Sequence, residues 1–287
     1  MRQICRCGFV ICLASFSLSV FGADIEIVWQ HGQTPNKHTV EKVKNWLEYG
    51  LKQTASTLTD LQQPIVPVFI HLNEHVSEPV PWGEVSRGEH DGITLHINKH
   101  ASLTQLKVDW TLYHEFVHLY HPFFGYGDSW LGEGLATYLQ NIVMLQAGIL
   151  SKRNFVQRVT EGLDRGEAAT AKFKGRLSNV AENMWQLRAY QRVYWSGVAF
   201  FIEAEERLKV AGSQYNLAKL LAIYQTCCRG NITPGTHHTS VQFLSALDSI
   251  AKVKVFMSLY EKYSEREDFP AISDRQILNL STQYSSQ

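Results

Sequence analysis

Apolar stretches of strand length are confined to the early part of the chain, and beyond Gly127 the pattern turns helical and stays so. Ile25 to Trp29 reads as a first strand, followed by a helix over about 39–58 and by strands at 65–72 and 93–97. Gly88, Asp91 and Gly92 supply turn chemistry ahead of the last of these, and Thr94-Leu95-His96-Ile97 is the candidate for a sheet edge. A dense apolar run from Leu106 through Trp110, Leu112, Phe116 and Leu119 to Tyr120 then predicts one buried helix, capped by Ser102 or Thr104. Pro122 closes it: the residue before a proline is biased away from helical geometry, so His121 is its last residue or just past it.

Pro122, Gly125, Gly127 and Asp128 make a short reversing turn. Helices are expected after it at 131–149, from a cap at Ser151, at 186–208, and near 215–226, 240–250 and 252–264. Residues 166–184 are polar enough to predict an irregular connection, 230–238 a loop, and the tail after Thr282 disorder. The fold class this implies is α+β, with a small mixed-sheet lobe over 24–121 and a mainly helical lobe over 122–287.

The N-terminus changes the picture. Arg2 and Arg6, an apolar run from Gly8 to Phe21, and Gly22-Ala23 have the layout of a secretory signal peptide over residues 1–23. The run is short for a membrane span, so the expectation is a secreted or periplasmic protein with no span in the mature chain. An uncleaved N-terminal anchor is the alternative. Without Arg2 and Arg6 the 27 basic residues become 25, against 27 acidic ones, and no basic tract points to nucleic acid. Cys5, Cys7 and Cys12 leave with the signal, and the adjacent Cys227 and Cys228 cannot staple loops; the expectation is that they are reduced and buried, with a bond to each other in a strained ring or a pairing between chains as the alternatives.

The chemistry concentrates at His114-Glu115-Phe116-Val117-His118. Two histidines four apart lie on one helix face and can point at a single ion, while Glu115, one position round, reaches a water without being a ligand. A catalytic zinc needs a third protein ligand and an open fourth position. A histidine six residues after His118 would supply it in one known pattern, but that position is Phe124, and the glycine expected midway is His121. The segment from Trp130 to Tyr138 offers Glu133 instead, brought back by the turn onto the next helix. Gly132 and Gly134 each cost a helix about 1 kcal/mol relative to alanine, and breaking the local rule twice around one carboxylate predicts close backbone approach. His90, His96 and His100 read as partly exposed polar residues, not ligands.

His114 to His118 followed by Trp130-Leu-Gly-Glu-Gly-Leu-Ala-Thr-Tyr138 resembles the gluzincin zinc metallopeptidases, in particular the aminopeptidase N and glycyl aminopeptidase groups and their peptidase MA-like relatives. The resemblance covers about 103–139 and implies a thermolysin-like zincin domain, one Zn2+ per chain on His114, His118 and Glu133, and a peptide or protein substrate. Val193-Tyr194-Trp195-Ser196-Gly197 resembles the segment whose tyrosine donates to the oxyanion in aminopeptidase N enzymes, with Ser196 where they carry lysine. The segment that reads a free amino terminus is absent, and Glu84 and Glu89 are the candidates for that task.

The expected reaction is hydrolysis of a peptide bond by a metal-activated water, with Glu115 as general base and Tyr194 at the oxyanion. Thr137, one turn after Glu133, is a candidate support for a ligand. The competing expectation is a zinc-holding envelope protein that binds polypeptides without cutting them.

Overall fold

Burial at every second residue, Val66, Val68 and Ile70 on one strand and Ile93, Leu95 and Ile97 on another, marks two inner strands of one sheet. They are β2 (Ile65–Asn73) and β4 (Gly92–Asn98), flanked by β1 (Asp24–Trp29) and β3 (Trp82–Ser86) in the order β1-β2-β4-β3. β1, β2 and β4 run parallel, and β3 returns antiparallel with Gly83 opposite Leu95. The edges are therefore β1 and, on the side of β4, β3, and the expected edge segment Thr94–Ile97 is interior. The computed structural model describes residues 22–30, 32–231 and 239–285. The expected leader lies almost wholly outside these, as does most of the 230–238 loop.

Helix α1 (Lys37–Thr57), capped by the Asn36 side chain, links the parallel β1 and β2 and buries Val43, Trp46 and Leu47. The single helix expected from Ser102 to His121 is two. Ser102 opens α2 (Leu103–Val108) with a reciprocal capping box, and Asp109 is extended and accepts from the Thr111 N–H. That competing side-chain bond breaks the ladder, and α3 (Thr111–His118) starts afresh and ends before His121.

Helix α4 (Ser129–Gln146) is the hub. From Trp130 to Leu145 every residue is buried but Glu133, the mark of a helix enclosed on all sides. Around it pack α5 (Lys152–Lys172), the short α6 (Leu177–Glu182) and the long α8 (Tyr190–Val210), with the one-turn α7 (Met184–Leu187) against α6 and α8. α9 (Leu217–Cys227), α10 (Thr239–Ala251), α11 (Phe256–Ser264) and α12 (Asp274–Ser285) complete the helical bulk. Residues 166–184 are thus mainly helical, not irregular, and the tail is ordered to Ser285.

Glu205 ties these helices together. Its buried carboxylate accepts from the Tyr138 hydroxyl at 3.2 Å, the Leu217 N–H at 3.1 Å, Gln283 Nε2 at 3.2 Å and the Tyr284 hydroxyl. Cys227 and Cys228 are joined to each other by a disulfide at the end of α9. They are exposed and half-buried, so the core that was to shield two thiols is not there, and of the pairings open to adjacent cysteines the bond to each other is the one formed. Among the described residues no helix is long and apolar enough to cross a membrane.

Candidate metal centre

His114 and His118, one turn apart on α3, meet Glu133 from the second turn of α4. His114 Nε2 lies 3.1 Å from both His118 Nε2 and Glu133 Oε2, and His118 Nε2 is 3.6 Å from the same carboxylate oxygen. These three residues are the one group of potential metal ligands found among the described residues. Tetrahedral zinc with bonds of about 2.0–2.1 Å needs ligand atoms roughly 3.3 Å apart, and the observed triangle brackets that value.

The protons around the triangle decide whether it fits a cation. His121 Nδ1–H donates to the Pro122 carbonyl at 2.8 Å, an acceptor that fixes the tautomer. His121 Nε2 therefore accepts from His118 Nδ1–H at 2.9 Å, which leaves the His118 Nε2 lone pair facing the triangle. On the other imidazole, His114 Nδ1–H donates to Gln140 Oε1 at 2.7 Å, freeing its Nε2 likewise. With His114 neutral, three acceptors converge, an arrangement that suits a divalent ion. Removing the Gln140 acceptor in Gln140→Leu should weaken zinc binding about 10–100-fold in a chelator competition titration. Unchanged affinity would mean that Gln140 does not set the ring.

Electrostatics point the same way. Burial lowers His118 and holds His121 well below its usual value, so both are neutral. At Glu133 burial opposes the charge, but His118 and His114 beside it keep the carboxyl below its ordinary range. At His114 the downward pull of burial is outweighed by Glu133 and Glu115, which favour a proton there; a metal ion in the same place displaces it.

Glu115 is not one of the converging ligands. Burial pushes its carboxyl up to about 8. It lies along the edge strand, where a Cβ added at Gly83 would come within 2.7 Å of Glu115 Cγ and 2.8 Å of its Oε1, so the position needs glycine. From the far side α8 brings Tyr194, whose ring stacks on His114 at 5.8 Å. Burial, then the Glu133 carboxylate, raise its hydroxyl well above the usual range and keep it a donor.

The two glycines around Glu133 do admit a close approach, and Gly134 meets another glycine. A Cβ on Gly134 would sit 2.3 Å from the Gly197 Cα, and one on Gly197 would sit 2.0 Å from the Trp130 carbonyl oxygen. Helices α4 and α8 thus cross backbone to backbone, which brings Tyr194 beside Glu133.

Two cavities flank this centre, of about 480 and 430 Å³, and share Trp82, Gly83, His114, Glu115, Trp185 and Tyr194. Glu84 lines the second; Glu89 lines neither. Thr137 bonds to no ligand: its hydroxyl is buried without a partner in the first cavity. His96 stacks on His71 across the sheet at 4.3 Å, and His100 is exposed. Sequence reasoning missed Gln140, His121 and Arg87. The Arg87 Nη2 donates to the His118 carbonyl at 2.9 Å while Asp91 holds its Nη1 at 2.7 Å, pinning the end of α3. Gln140 was the findable one, since it stands two turns after Glu133 on one face of an otherwise apolar helix.

No family model and no curated protein matches the chain. Among solved structures it is similar to an aminopeptidase N family protein from Idiomarina loihiensis, with TM-score 0.61 and 14% identity over 90% of this chain and 47% of that one. The chain has a gluzincin-like fold. A two-domain M1 zinc metallopeptidase variant bound to L-tryptophan is also similar, at TM-score 0.50 and 12% identity, over 86% of this chain and 49% of that one. The gluzincin-like chain spans about half the length of each of these neighbours.

Proposed function

We propose that the protein is a zinc-dependent peptidase acting on peptide or protein substrates, with Glu115 as its general base. The observation that carries this reading is the convergence of His114, His118 and Glu133 beside a buried carboxylate that does not belong to the triangle. Zinc supplies Lewis acidity, which polarises a carbonyl and lowers the pKa of water to about 7. Glu115 would accept the proton of the attacking water and return it to the leaving amine, in the ionised form that the charge of a bound cation favours against the push of burial. The Tyr194 hydroxyl donates to the oxyanion as it forms.

An extended peptide is the substrate shape that the edge strand suits. β3 pairs only with β4 and lies against Glu115, so its free side offers backbone groups for strand addition beside the general base. Secretion or a periplasmic location is part of the same proposal, supported by the signal-like N-terminus and by a disulfide, a bond that persists in oxidising compartments.

Glu133→Ala tests the metal set. The purified protein should hold close to one zinc per chain, and the variant should lose most of it on dialysis. Retention of the full equivalent would move the third ligand elsewhere. Chelator-sensitive cleavage of mixed peptides by the parent protein separates a peptidase from a zinc-holding polypeptide binder, which would cut nothing.

A further inference from the structure

Along α4 the polar residues Glu133, Thr137, Gln140 and Asn141 fall at helical spacing on one face of a helix that is otherwise apolar. Glu133 and Gln140 are accounted for by the metal centre. Thr137 and Asn141 are not. Both line the larger cavity, about 480 Å³, which runs from His114 and Glu115 toward α5 and the start of α8. They are 5% and 1% exposed, and among the described residues Thr137 Oγ1 and Asn141 Oδ1 find no hydrogen-bond partner. Asn141 Nδ2 donates to the Thr137 carbonyl at 2.8 Å, which fixes the amide: the opposite orientation would set two oxygens against each other. A buried acceptor left unpaired costs about 1–3 kcal/mol, so these atoms call for a partner from outside the chain.

The remaining walls limit what that partner is. Trp110, Trp185 and Trp195 give flat apolar sides. Arg158 and Arg165 both reach the cavity and, among the described residues, neither makes a salt bridge: Arg158 lies in the field of the Asp109 carboxylate with its guanidinium on the Met144 sulfur at 3.9 Å, and Arg165 donates to Gln191 Oε1 at 3.0 Å. A carboxylate would satisfy Arg158 but bring no N–H to Asn141. An ammonium would serve Asn141 but face Arg158. An aliphatic side chain would leave both buried groups unpaired. A carboxamide supplies an N–H for Asn141 and a carbonyl for Thr137 and Arg158 at once.

We propose that this cavity is a specificity subsite for a carboxamide side chain, glutamine or asparagine, next to the scissile bond of the peptide. Asn141 Oδ1 accepts from the amide N–H and the Thr137 hydroxyl donates to its carbonyl. This rests on the peptidase reading, so the first test does not need turnover.

Zinc-loaded Glu115→Gln protein is titrated by calorimetry with alanine pentapeptides that carry one glutamine, glutamate, leucine or lysine at each position in turn. At one position glutamine should bind about tenfold or more tighter than the other three. Asn141→Leu in the same background should bring the glutamine-to-leucine ratio near one, and the isosteric Thr137→Val should narrow it if the first variant does not fold. Equal binding of all four peptides at every position, or a glutamine preference that survives both substitutions, overturns the subsite. Cleavage of the same peptides by the parent protein is read separately. A binding preference without any cutting would sink the peptidase reading and leave the subsite standing.

Discussion

Glu115→Gln is expected to keep its metal and to lose about 10²–10⁴-fold in the rate of peptide hydrolysis. Glutamine has the shape of glutamate and fills the same slot against Gly83, so neither the edge strand nor α3 has reason to move. The three converging ligands are untouched, and zinc content measured by elemental analysis should stay at the parent level. What disappears is a group that takes a proton and gives it back. Turnover at the parent rate in a metal-replete variant would eliminate the mechanism, whatever the fold.

Gly197→Ala should be the most damaging single methyl group in the molecule. It places a Cβ 2.0 Å from the Trp130 carbonyl oxygen, a backbone atom in the first turn of α4 that cannot swing aside as a side chain would. Helices α4 and α8 must separate, at a cost of roughly 3 kcal/mol or more. Because Glu133 and Tyr194 ride on those helices, weaker zinc retention should accompany the loss of stability. Urea unfolding and a chelator titration on the same preparation check both. An unshifted midpoint would show that the backbones do not touch.

The meeting of His114 and His118 was legible in the sequence because helical spacing alone puts them on one face, and that of Glu133 because two glycines around a carboxylate are costly without a reason. The edge strand was misread for an equally physical cause. Ile93, Leu95 and Ile97 alternate cleanly because β4 is covered by neighbours, whereas Trp82 to Ser86 bury no residue fully and so leave no apolar signal. Helix α5 was shortened for a related reason. Its buried stripe passes from Phe155, Val159 and Leu163 to Gly162, Gly166 and Thr170, small residues without a hydrophobic mark, of which Gly162 admits the Trp195 ring and Gly166 the Phe269 ring. In α12 the stripe of Ile277, Leu280 and Tyr284 was present, and it was overlooked in a polar tail. The tautomer relay through His121 needs a three-dimensional path from ring to ring and back to a carbonyl, which no spacing rule announces.

The Glu205 knot has a consequence for how the molecule is made. Two of its donors, Gln283 and Tyr284, come from the last helix, and a third, Tyr138, sits on the same helix as Glu133. While the chain is still emerging from the ribosome, that carboxylate has a charge to bury and too few hydroxyl groups to receive it. The half-made polypeptide therefore lacks a lock on the helix that carries Glu133, and the three converging side chains are held firmly only once α12 has docked.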